Sequence, residues 1–111
     1  MQELEKRTLD FAIAVRDFCK KLKFDTINTV YIKQLIRSSS SIGANYIEAN
    51  ENLGKADLKM RIKISRKEAK ETIYWLNLIL ADKNMDGEKK LLINEAEQLR
   101  KIFSSILIKV Q

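Results

Sequence analysis

At 111 residues, with 45% apolar and 32% charged side chains, the chain is long enough for one hydrophobic core and too apolar to remain disordered. Its 21 Lys and Arg against 15 Asp and Glu leave a net charge of +6 and a pI of about 9.5, which favours polyanionic partners, and no run approaches the roughly 20 apolar residues of a membrane span. The single cysteine, Cys19, excludes an intrachain disulfide, and with no histidine in the chain it has no base to make it a nucleophile. A buried, inert thiol and a cytoplasmic protein are expected, the first 16 residues having no apolar core of signal-peptide length.

Apolar residues recur at spacings of three and four and proline is absent, so the pattern predicts an all-α chain. The first helix, about 5–22, turns Thr8, Phe11, Ala12, Val15, Phe18, Cys19 and Leu22 to one face. A polar break, Lys23 to Asn28, follows, with Thr26 or Asn28 as the cap of the second helix. That helix, about 28–50, carries Tyr31, Leu35, Ser38, Ile42, Tyr46 and Ala49 inward and stops at the turn Asn52 to Lys55, marked by Gly54. The third, about 56–81, has a heptad-like stripe of Leu58, Ile62, Ser65, Ala69, Thr72 or Ile73, Leu76 and Leu80. After Asp82 to Gly87 comes a fourth, about 88–110, with Leu92, Glu95 or Ala96, Leu99, Phe103, Ile106 and Val110 inward. Three short connections make residues 1–111 one domain, an up-down-up-down antiparallel four-helix bundle.

Two surface features exceed what a monomer needs. Met60, Ile64, Trp75 and Leu78 form a second apolar set on the third helix, roughly opposite its core stripe. The second helix has a small-residue back, Ser40, Ser41 and Ala44, with Gly43 beside it where glycine costs roughly 0.5–1 kcal/mol relative to alanine. Together they predict an oligomer interface on adjacent helices, the alternative being that Gly43 serves packing inside the monomer. Between the stripes runs a ladder of cations, Lys59, Lys63, Arg66 and Lys70, flanked by Lys55 and Lys67. Residues 55–70 hold seven basic and two acidic side chains, a composition suited to a phosphate backbone and equally compatible with a solvated helix face.

Glu48-x-x-Glu51 and Glu68-x-x-Glu71 each set two carboxylates one turn apart, the spacing by which all-α nucleotide pyrophosphohydrolases hold Mg²⁺. Arg37, on the same face as Glu48, offers that carboxylate a partner instead. Phosphate loops, nucleophile elbows and cysteine or histidine metal sites are absent, so no catalytic residue and no metal ligand is assigned.

Arg7-Thr8 with Phe11-Ala12, Gln34-Leu35-x-Arg37-Ser38, Ser41-Ile42-x-Ala44-Asn45 with Glu48, and Lys67-Glu68-Ala69-x-Glu71-Thr72-x-Tyr74-Trp75-Leu76 resemble the four-helix bundle proteins encoded in intervening sequences of bacterial 23S ribosomal RNA genes. The resemblance spans about residues 7–80; the proline frequent after the family's first helix is replaced by Leu22-Lys23. A similar fold is that of the accessory variability protein of diversity-generating retroelements, a basic homopentamer associated with reverse transcriptase and nucleic acid. The resemblance implies a homopentameric ring, no enzymatic activity and no cofactor, and makes Arg37, Asn45, Glu48 and Glu71 motif positions, read as a polar network fixing helix or subunit register. The expected function is a non-enzymatic oligomer that binds RNA or DNA through Lys55, Lys59, Lys63, Arg66, Lys67 and Lys70. The alternatives are a scaffold for a protein partner such as a polymerase or reverse transcriptase, and a Mg²⁺-dependent nucleotide hydrolase.

Overall fold

The three-and-four periodicity resolves into four long helices in the computed structural model, which describes residues 1–111: α1 Glu3–Lys20, α2 Thr26–Asn50, α3 Lys55–Leu78 and α4 Asp86–Val110. A single turn of 3-10 helix, Lys83–Met85, leads into α4. No strand is present. The first two helices begin where a side chain satisfies one of their free N–H donors. Gln2 accepts from Glu5 N at 3.0 Å to open α1, and Asp25, not the expected Thr26 or Asn28, accepts from Asn28 N at 2.8 Å to open α2. Gly54, at φ +136°, makes the turn into α3 in a conformation that side chains other than hydrogen resist.

Consecutive helices run antiparallel. Early α2 meets the end of α3 through Asn28 and Leu80, and late α2 meets early α3 through Asn45 and Arg61. The packing is uneven: α3 lies most extensively against α2 and α4, whereas α1 rests mainly on α2 and meets α4 least. The bundle is an elongated rod, 44 × 23 × 23 Å.

Core positions follow the predicted stripes through most of each helix. Val15, Phe18, Leu35, Ile42, Ile62, Ala69, Leu76, Leu99 and Phe103 are all but sealed from solvent, and each of the larger ones contributes about 1.5–3 kcal/mol by leaving water. Between α2 and α3 the core turns small and polar. Ser65 Oγ donates to Ile42 O at 2.9 Å, Thr72 Oγ1 meets Ser38 Oγ at 2.9 Å, and all three hydroxyl-bearing side chains are fully buried. Each of these three hydroxyls finds a partner, and the short side chains let the helices close together.

Two further expectations are overturned, and the place of Gly43 is decided. The α3 helix ends at Leu78, not at 81; Ile79 adopts an extended backbone, which turns Ile79 into the core at 1% exposure and throws Leu80, the predicted core residue, out to 59%. At the end of α4 the buried residue is Leu107, with Ile106 and Val110 only half-buried, because a seven-residue stripe drifts around a helix of 3.6 residues per turn. Gly43, which stands beside the small outer face in sequence, is buried against α1: a β-carbon there would lie 2.8 Å from Thr8 Oγ1 and 3.1 Å from Thr8 Cβ. The glycine serves the α1–α2 contact within one subunit.

Candidate nucleic-acid interface

The α3 register that sends Ile62, Ser65, Ala69, Thr72 and Leu76 inward leaves its lysines outside. Lys55, Lys63, Lys67 and Lys70 are exposed, and Lys59 and Arg66 are half-exposed. None of the six takes part in an ion pair, although carboxylates are plentiful on this small surface. The arginines make the contrast plain: of six in the chain, Arg7, Arg16, Arg37, Arg61 and Arg100 each hold a carboxylate, and Arg66 alone does not. The seventh cation of residues 55–70, Arg61, is engaged with Asp57 at 3.7 Å and Asn45 Oδ1 at 3.2 Å, which separates it from the ladder.

Sequence reasoning confined the basic surface to one helix. Lys63, Arg66, Lys67 and Lys70 instead share an open groove of about 390 Å³ with Arg100 and Ser104 of α4, and no apolar residue lines it. Arg100 escaped notice because the three-four pattern of α4 locates its core without indicating which flank faces α3. Its guanidinium is hydrogen-bonded to Glu97, with Nε at 2.9 Å, and this partner holds the Glu97 carboxyl below its ordinary range. Both side chains are about one-third exposed, so water screens the pair and its contribution to stability is small.

The second apolar set of α3 is divided. Met60 is exposed, while Ile64, Trp75 and Leu78 are half-buried, and Trp75 lies against the core with its ring centroid 6.3 Å from that of Tyr31. Tyr74, 61% exposed, meets the edge of Trp75 at 5.2 Å and 73°. On α2, Ser40 and Ala44 are exposed and Ser41 is half-buried with its hydroxyl donating to Arg37 O at 2.7 Å.

The motif polar residues fall into two clusters. Arg37 reaches across to α3, where Nη1 donates to Glu68 at 3.1 Å and Nη2 to Glu71 at 3.3 Å; its anticipated partner Glu48 is exposed and stands outside both clusters. Glu68, missed as a member, is the most buried of them, and burial pushes its carboxyl above the ordinary value, with the Arg37 charge opposing that rise. Asn45 forms the other cluster, donating to Ser41 O at 2.9 Å and accepting from Arg61. Arg7 and Thr8, quoted above as a motif, also gain physical roles. Arg7 forms a two-pronged bond to Glu95 of α4, both prongs at 2.8 Å, and Thr8 fills the space left by Gly43.

No helix is long and apolar enough to cross a membrane. No curated protein matches the chain. A protein of unknown function from Bacteroides thetaiotaomicron, of the S23 ribosomal protein family and known from its crystal structure, superposes with a TM-score of 0.82 at 32% identity, covering 93% of this chain and 96% of that one. Residues 2–105 match the family described as 23S rRNA-intervening sequence protein. The extent of that match, the four-helix architecture and the shared fold at this identity place the chain in the 23S rRNA-intervening sequence protein family.

Proposed function

We propose that the protein is a non-enzymatic binding module that engages the phosphate backbone of RNA or DNA through the outer face of α3 and its groove with α4. The observation that carries this reading is the row of six unpaired cations, Lys55, Lys59, Lys63, Arg66, Lys67 and Lys70, on a surface where the other arginines all hold carboxylates. Unpaired charges on one face raise the local potential and release counterions when phosphates bind. Of the two carboxylate pairs that a Mg²⁺ hydrolase could use, Glu68 and Glu71 are better accounted for as structure, since Arg37 occupies both.

Assembly into a ring of five copies belongs to the same proposal. Exposed apolar residues on both α2 and α3, among them Ile36, Ile47 and Met60, favour it, because each copy in a ring presents two different faces to its neighbours. Light scattering should return a multiple of the 12.9 kDa chain, and a mass of one chain at micromolar concentration would overturn it.

Binding is tested by titrating a mixed RNA or DNA pool at several salt concentrations. Affinity should fall with a log-log slope of about −0.9 for each duplex phosphate neutralised, or about −0.7 for single strands. Replacing Lys59, Lys63, Arg66 and Lys70 together by glutamine should flatten the slope without disturbing assembly, as none is a core residue. Equal binding by wild type and variant, or no binding by either, would refute the reading and favour a protein-binding scaffold.

A further inference from the structure

The lysine row on α3 does not end in solvent. Lys63, Lys67, Lys70 and Tyr74 follow one another at spacings of four, three and four, which puts all four side chains on one face of the helix. All four are exposed, and the Tyr74 ring at the end of the row is 61% accessible. The row of cations therefore ends on an accessible aromatic ring. This ring is also held. Its centroid lies 5.2 Å from that of Trp75 in a T-shaped pair, and Trp75 packs on the core beside Tyr31 of α2, so the aromatic cluster is anchored in the bundle while the Tyr74 ring remains accessible.

A cationic row ending in a braced, open aromatic is the arrangement that distinguishes a single strand from a duplex. Successive lysines stand about 4.5 and 6 Å apart along the helix axis, a spacing at which each can meet a backbone phosphate. In a duplex the base faces are stacked on one another, and a tyrosine on a helix surface has nothing to lie against. In a single strand an unstacked base offers its π-face. We infer that this surface binds single-stranded nucleic acid in preference to duplex, with Lys63, Lys67 and Lys70 on consecutive phosphates and Tyr74 stacked on a base. Arg66 and Arg100 flank the same track from the groove, where Arg100 exchanges Glu97 for phosphate as the strand seats. The inference rests on the phosphate-binding reading of α3 and adds the class of strand to it.

The test compares a 20-nucleotide mixed-sequence RNA, the DNA of the same sequence and the matching DNA duplex, by fluorescence anisotropy across a salt series. Both single strands should bind more tightly than the duplex. Tyr74→Ala should weaken single-strand binding roughly 5- to 150-fold, the range expected for one base–aromatic stack, and leave duplex binding and the salt slope unchanged. Tyr74→Phe, which keeps the ring, should bind as wild type. A thermal melt of each variant guards against misfolding, which an exposed position makes improbable. If Tyr74→Ala bound the single strands as wild type does, or if wild type held duplex equally tightly, the strand preference would be overturned while the salt-dependent phosphate contact stood. If no probe bound in low salt, both would fall.

Discussion

Replacing Gly43 by alanine sets two effects of opposite sign against each other at one atom. The new methyl would lie 2.8 Å from Thr8 Oγ1 and 3.1 Å from Thr8 Cβ, closer than van der Waals contact permits. Thr8 cannot easily yield: it is β-branched, 1% exposed, and its hydroxyl donates to Glu5 O at 2.9 Å, so rotation would break that bond and α1 must move instead. Overpacking of this kind costs about 1–3 kcal/mol, and the gain in helix propensity returns about 1 kcal/mol. The net expectation is a loss of about 1 kcal/mol, which lowers the melting temperature by roughly 4 °C for a domain of this size. Removing the obstacle should reverse the sign. In a Thr8→Ala background only the β-carbon contact remains, and Gly43→Ala should become neutral or stabilising, giving a coupling of about 1–2 kcal/mol in a double-mutant cycle followed by urea denaturation. Because the contact lies within one subunit, the mass by light scattering should be unchanged throughout. A Gly43→Ala protein that melts higher than wild type, or whose shift ignores residue 8, would refute the reasoning.

Asn28 is 1% exposed and joins two loops: its Nδ2 donates to Lys23 O and Leu80 O, and its Oδ1 accepts from Leu80 N at 2.9 Å. Asn28→Ala strands those backbone groups and should cost about 2–4 kcal/mol by chemical denaturation; Asn28→Asp, which cannot supply both donors, should fall well short of restoring it. Glu68 binds its proton more tightly folded than unfolded, so its titration makes stability fall as pH rises from about 4.5 through its raised value. Glu68→Gln removes that fall, and its stability relative to wild type should improve across that window and be flat above it; a decline there, measured by urea titration, would show that the Arg37 pairing outweighs burial. Cys19 has its thiol pushed up to about 11 by burial, so at pH 8 a disulfide reagent should label it only at the rate of unfolding, and rapid labelling of the folded protein would refute its burial.

Helix number, order and most of the core were legible because period and turn chemistry are local properties. Phe11, Val15, Leu35, Ile62, Leu76 and Leu99 declare their faces through spacing alone. What was lost depends on where one helix meets another. The extended backbone at Ile79, which exchanges Ile79 for Leu80, sets the Leu80 amide against Asn28, fifty-two residues before Leu80, and nothing within a turn of it signals the change. The same holds for the polar clusters. Arg37 was matched to Glu48 because both lie on α2, whereas its carboxylates stand across the interface on α3. Gly43 was recognised as anomalous, but only the neighbour can say which way the anomaly points, and the neighbour is Thr8. Spacing alone keeps the basic ladder off the core stripe, whereas its extension by Arg100 and Ser104 depends on the α3–α4 packing.

The α2–α3 hairpin is fastened at both ends, by the Gly54 turn at one and by the Asn28 amide on Leu80 at the other, with Ser38, Thr72, Ser65, Arg37 and Glu68 linked along its length. The first helix is tied mainly by partly exposed groups, Arg7 to Glu95 and Lys21 to Glu88 on α4 and Gln2 to Tyr46 on α2, and it meets α4 over the smallest of the helix interfaces. Opening of the molecule should therefore proceed in stages, with amide protons of α1 exchanging through a shallow excursion that leaves the hairpin closed, and those of α2 and α3 exchanging only when the whole chain unravels. A hierarchy of that kind lets the helix bearing the cationic row keep its shape while the rest of the bundle breathes.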